Sequence, residues 1–568
     1  MKIRFEKEKI WTYLSWLWLF AGAFVMLMYH LGPGKALVDG DMGGEMILAD
    51  LLNQEGDFLL SDNWYHATEI HVFFMQIIFR PLLYIWPSNW HIVRVVGTIL
   101  IYIINTVGYL LMMKESGVKK LSVWSAGALL WPMGMWRLFL GLYGGQYLVY
   151  DFFCFYILFL IFYLSNQERL FSKDKRIKNI IAVVSLAFLS LAGGVNGVRE
   201  TMMLFAPICL GIVFVIVRRI IAYFSLSGMQ GSWKCVLEEN KKVVSLLITV
   251  IYATFFNLLG YGYNLTVLMR KYSFQSNTAM VWKERLSFVN ILESISDFFS
   301  LFGFGGEVSF FSVEGLCSFV GIVIAFILLF VIVRIWILRD KLSTGEELIY
   351  ASFIGGVLFC SVVFGLMEEM DEPRYWLPFM CFGIMLFEVY ADIENWVLKN
   401  LKGIVGLVLS ICIVISSVGT IKTQIKNPHE GKLKNLNISK YLDENGFDNG
   451  YAQFWLANTI TEQTSGRVKV RPLMYSETFE MLKWSNRIDY ATSYPEGEVF
   501  LVIDKKGFPG NVYESYFYKY ANPVVNFDDD DWLVMTFASA NELENAYIIA
   551  LNSGEVMSQD DKLSKESN

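Results

Sequence analysis

Apolar and polar residues alternate along this chain in long blocks rather than at helical or strand spacing. Runs of about 20 apolar residues recur, the length that crosses a bilayer core. They predict eleven membrane spans, at about 10–31, 90–113, 121–140, 146–165, 178–195, 201–222, 243–263, 316–338, 348–366, 376–396 and 402–421. The first follows a basic start (Lys2, Arg4, Lys7, Lys9). It is too long for a signal peptide and no small-residue cleavage site follows, so it reads as a retained helix. Beyond the last span the pattern changes. Short apolar runs separated by turn residues predict strands at Val499–Asp504, Trp532–Phe537 and Tyr547–Asn552, and the stretches NISKYLDENG and SETFEMLKWSN read as helical. The predicted fold is a polytopic α-helical membrane protein, residues 1–421, followed by a C-terminal α/β domain with a disordered polar end, residues 422–568.

Charge gives this arrangement a direction. Basic clusters fall in one set of loops, at Lys114/Lys119/Lys120, Arg169/Lys173/Lys175/Arg176/Lys178, Arg218/Arg219, Lys241/Lys242 and Arg339/Lys341. Basic loops face the cytoplasm. The N-terminus is then inside, and an odd number of passages puts the C-terminal domain outside a cytoplasmic membrane. Three long segments share that outer side: 32–89, 264–315 and the tail. The tail carries 22 acidic and 15 basic residues, which accounts for the net charge of −7. No basic patch marks a nucleic-acid partner.

Composition supports the class. Of 568 residues, 55% are hydrophobic and only 18% charged, with a mean hydropathy of +0.43. The seven cysteines form no CxxC pair and none lies in the tail, which argues against a disulfide framework or a cysteine-ligated zinc.

The candidate chemistry sits in the first outer loop. Val38–His71 holds Asp39, Asp41, Glu45, Asp50, Glu55, Asp57, Asp62 and Glu69, with His66 and His71. A helix is expected to begin near Gly43 or Gly44 and run along EMILADLL, and a second interfacial helix to run from Thr68 to Trp86. Asp39-Gly40-Asp41 suits a general base, or a carboxylate pair holding Mg²⁺ or Mn²⁺. Asp-Gly is also a common turn pair. Glu69, in HATEIH, offers a second acidic point supported by Glu45, His66 and His71. The spacing of His66, Glu69 and His71 fits neither zinc motif HExxH nor HxxEH. Arg137, Arg199 and Arg374 lie at the outer ends of spans, where a charge at membrane depth is a functional candidate and a guanidinium fork suits phosphate. The bland alternative is snorkelling to the headgroups.

Taken together, these motifs resemble the GT-C superfamily of membrane glycosyltransferases, in particular the protein O-mannosyltransferase and lipid A aminoarabinose transferase group. The matching elements are Asp39 and Asp41 with the run Glu45–Leu52, the later Arg374-Tyr375-x-x-Pro378, and an outer domain after the last span. Where some relatives carry Asp-Glu, this chain has Gly40-Asp41, which leaves either Asp39 or Asp41 as the base. The resemblance implies inverting transfer of a sugar from a polyprenyl-phosphate donor to an envelope glycan, lipid or protein, with Asp41, Asp39 and Glu69 catalytic and Arg374, Tyr375, Arg199 and Arg137 on the donor phosphate. Competing classes are a flippase of lipid-linked glycans, a polysaccharide polymerase or ligase, and a non-catalytic assembly protein.

Overall fold

The structure, a computed structural model, describes the chain from Lys2 to Met557, apart from Thr68 and residues 120–122, 168–174, 228–235, 237, 239, 276–281, 284, 286, 306–308, 310, 368–372, 395–398 and 427–431. The polar C-terminal end, Cys235, Arg169, Lys173 and the acids preceding Pro373 lie outside the described residues. Among the described residues, ten helices are long and apolar enough to cross a membrane: Ile10–Leu31, Trp90–Ser116, Gln146–Ser165, Arg176–Val195, Val198–Ser225, Lys241–Lys271, Val313–Ile337, Thr344–Leu366, Pro373–Ile393 and Gly403–Gln424.

The eleventh expected span, 121–140, is not a helix of that kind. Trp124–Ala128 makes a five-residue helix, Pro132 interrupts, and Arg137–Tyr143 forms a π-helical turn. Proline lacks the amide that a continuous helix requires. The chain still passes through the bundle here. The flanking helices Trp90–Ser116 and Gln146–Ser165 run parallel, with Asn105 bonded to the Leu148 carbonyl and Asn166 to the Glu115 carbonyl. Gly117 therefore lies at one end, against Ser343, and Gly144 at the other, against Arg94. Among the described residues the chain thus makes eleven passages, ten of them helical.

The three long polar segments meet at one end of the bundle. In the first, Gly40–Glu55 forms a helix, β1 (Trp64–Ala67) follows, and Gln76–Ile85 forms a second, ten-residue helix containing Pro81. The helix expected from Thr68 thus begins only at Gln76. β1 pairs in parallel with β2 (Phe274–Gln275) and antiparallel with β5 (Asn486–Arg487), joining all three segments in one small sheet.

The C-terminal domain is a layered α/β unit. Its sheet has the order β4 (Lys469–Leu473), β3 (Asn449–Gln453), β6 (Val499–Asp504), β8 (Trp532–Phe537), β7 (Val524–Asp528). Strand alternation sends Phe500 and Val502 to one face, under helices Lys432–Glu444 and Phe454–Gln463, and Leu501 and Ile503 to the other, under helix Ala540–Ser553. Two expectations fail in this domain. Tyr547–Asn552 belongs to that last helix, because Leu543, Ala546, Tyr547 and Ala550 repeat at helical spacing. SETFEMLKWSN forms no helix; it folds back on β4 through a Leu473–Met481 bridge and buries Phe479 and Leu482.

Candidate active site

The acidic helix Gly40–Glu55 starts three residues earlier than its sequence suggests. Asp39 has extended backbone and caps it, its Oδ1 accepting from the Met42 amide at 3.0 Å. A carboxylate cap satisfies an orphan N–H and complements the helix dipole. Asp41 falls inside the first turn, half-buried. Burial, then the charge of Asp39, push its carboxyl up to about 7, against the opposing pull of Arg374 and Arg199. The Met42 amide at the helix start serves Asp39 rather than Asp41. One turn further on, Glu45 is also raised by burial, opposed by Arg94 and by a hydrogen bond with Gln146.

Glu69 is buried and heavily engaged. It accepts from the Val198 amide at 2.9 Å, and its other oxygen stands 3.2 Å from Arg199 Nε and 3.5 Å from His71 Nε2. Burial raises its carboxyl, but His71, Arg199 and the Val198 amide together hold it below its ordinary range. This approach requires glycine at 197: φ there is +113°, and a Cβ would stand 2.7 Å from the Glu69 carboxyl carbon. His71 stacks on Phe74 at 4.5 Å.

Arg199 and Arg374 share one aromatic ring. Their guanidinium carbons lie 5.9 and 5.2 Å from the Tyr375 centroid, and Arg374 Nη2 is 3.4 Å from the Tyr375 hydroxyl. Stacking of this kind orients a planar cation. Tyr147 and Tyr150 add their hydroxyls near Arg199. The structure thus brings Asp39, Asp41, Glu69, His71, Arg199, Arg374 and Tyr375 into one cluster, from four separate parts of the chain. Beside it lies an apolar cavity of about 670 Å³, lined by residues that include Leu59, Val72, Phe73, Leu191, Val195 and Leu268.

Two expected members stand apart. Arg137 is buried and braces the broken passage, donating to the Leu129 carbonyl at 2.6 Å and pairing with Asp151 at 3.4 Å. Its place inside the protein reflects the π-turn that carries it. His66 is on β1 rather than a helix, packed edge-on against Tyr272, and burial lowers its pKa to about 3. Among the described residues no group of three or more His, Cys, Asp or Glu side chains could hold a metal. Asp39 gives one oxygen to its cap, and the charges of Arg374 and Arg199 already act on Asp41.

No family model matches the sequence, and no curated protein matches it. Among solved structures the chain is similar to ArnT from Cupriavidus metallidurans. In the apo state, identity is 9%, the match covers 91% of this chain and 97% of that one, and the TM-score is 0.48. For ArnT bound to undecaprenyl phosphate the figures are 10%, 90%, 97% and 0.48.

Several residues at the site escape sequence reasoning. Arg94 is the fifth residue of an apolar span, and a charge at that depth is itself a signal. It forms a buried two-point pair with Glu462 of the C-terminal domain, Nε to Oε1 at 2.6 Å and Nη2 to Oε2 at 2.7 Å. Glu462 and Asn458 carry no local signal: each is an ordinary polar residue on a short helix until the fold brings that helix to the acidic one.

Proposed function

We propose that this protein is a GT-C-type glycosyltransferase that moves a sugar from a polyprenyl-phosphate donor to an envelope glycan, lipid or protein on the outer face of the cytoplasmic membrane. The observation that carries this reading is the position of Asp41. A carboxyl tuned to about 7 shares a cluster with two arginines stacked on one phenol ring. A base and a phosphate clamp at one place are what single-displacement transfer from a sugar phosphate requires. The acceptor hydroxyl attacks the anomeric carbon, its proton passes to Asp41, and the bond from that carbon to the phosphate oxygen breaks. Polyprenyl phosphate departs with the bonding pair, its growing charge met by Arg199 and Arg374. Asp39 holds the helix turn that carries the base. Glu69 stays ionised and orients Arg199, with His71 behind it. The apolar cavity beside Glu69 suits the isoprenoid chain.

The test uses purified protein and a polyprenyl-phosphate sugar. Release of polyprenyl phosphate should require both acceptor and the arginine clamp. Arg374→Lys keeps the charge and loses the fork. Turnover should fall about 10- to 100-fold, the worth of one charge-assisted hydrogen bond. Full activity in the lysine variant would exclude a two-point phosphate contact.

A further inference from the structure

The C-terminal domain meets the acidic helix at the turn that carries Asp41. Helix Phe454–Gln463 lies along helix Gly40–Glu55 with backbone almost touching backbone. A Cβ on Gly43 would stand 2.4 Å from the Asn458 carbonyl oxygen, and one on Gly40 would stand 2.9 Å from that of Phe454. Glycines are thus obligatory on this face for steric reasons. The two carbonyls that flank Asp41 are both held. Gly40 O accepts from Asn458 Nδ2 at 3.1 Å, and the same amide nitrogen donates to Ser485 O at 3.1 Å. Met42 O accepts from Arg94 Nη2 at 2.9 Å, and Arg94 is fixed by Glu462. One guanidinium thereby ties together a membrane helix, the acidic helix and the C-terminal domain. Upstream, Gln463 Nε2 donates to Lys35 O at 3.2 Å.

We propose that Glu462 and Asn458 of the C-terminal domain are positioning residues for the reaction centre, holding the Gly40–Met42 turn so that the Asp41 carboxylate stands where the acceptor proton is released. This inference rests on the reading of Asp41 as base. Packing alone does not explain the pair. Replacing a buried ion pair by apolar side chains of similar volume is often neutral for stability, so stability is a poor reason for such a pair to be here. What a two-point pair with a third bond to a carbonyl adds is registry. A one-residue slide of the acidic helix would break the Arg94 and Asn458 bonds at once.

The experiment compares full-length wild type, Glu462→Gln, Asn458→Ala and the double variant Arg94→Met/Glu462→Leu. Each is purified and assayed with a polyprenyl-phosphate sugar, and backbone hydrogen exchange is followed across residues 38–46. In Glu462→Gln and Asn458→Ala, kcat should fall toward the about 10²-fold cost of a small misplacement. KM for the donor should stay within about twofold, because donor contacts lie elsewhere. First-turn amides should exchange faster while those of helix Ala540–Ser553 are unchanged. The double variant should regain the wild-type melting temperature and keep the low kcat. Recovery of full kcat in the double variant would reduce the pair to a structural role and overturn the proposal. So would wild-type exchange at the first turn in both single variants, a result that stands even if the wild type transfers no sugar. Failure of the wild type to transfer sugar, with the exchange change present, would instead overturn the reading of the reaction.

Discussion

Asp41 is poised by opposing neighbours, and the signs of its response can be worked out. Asp39 raises its carboxyl, whereas Arg374 and Arg199 lower it. A general base must be deprotonated to act, so turnover should rise with pH through about 7 and then level off. Asp39→Asn keeps a good helix cap but removes a negative charge, so the acidic limb should move to lower pH. Arg374→Gln removes a positive charge, so the limb should move to higher pH. A pH–rate profile of each variant checks these directions, and a limb that stays put in both would dissociate it from Asp41. The roles of single residues were only partly legible in the sequence. Asp39, Asp41, Glu69, Arg199, Arg374 and Tyr375 stand out as polar groups at span ends, and the fold collects them. Arg137 stands out by the same criterion and is spent on Asp151. Span position cannot distinguish a residue facing a site from one facing its own backbone.

Between elements, the contact of the acidic helix with helix Phe454–Gln463 is the feature hydropathy could not reveal. The bilayer imposes a length on apolar runs, so ten of the spans are readable from one number per window. The broken passage at 121–140 meets that criterion on composition and fails it on geometry, through Pro132. Contact between the loop and the tail depends on small residues, and Gly40, Gly43 and Gly44 read equally well as turn residues. Gly43→Ala should therefore cost about 1–3 kcal/mol, the usual penalty for overpacking, read as a lower melting temperature. Gly406→Ala, in a membrane helix with open space around the glycine, should be neutral or slightly stabilising. Equal effects at both positions would argue against the close helix contact.

For the whole molecule, the acidic loop, the 264–315 segment and the tail meet at one end of the bundle through β1, β2 and β5. From the charge asymmetry in the short loops we propose that this end faces outside. A reporter active only in the cytoplasm, fused after Ser553, should be silent, and a strong signal would invert the orientation and the donor logic with it. The proposed outward placement matters because nucleotide sugars are made in the cytoplasm, so a donor used outside must already be lipid-linked. The measurement that bears most directly on this account is transfer by Asp41→Asn from a polyprenyl-phosphate sugar to an envelope acceptor. This variant preserves size and removes the base. Its rate should fall about 10²–10⁴-fold, while donor binding, held by the arginines, survives. Transfer at the wild-type rate by Asp41→Asn, with Asp39→Asn inactive, would make Asp39 the base; full activity in both, and in Glu69→Gln, would contradict the glycosyltransferase assignment.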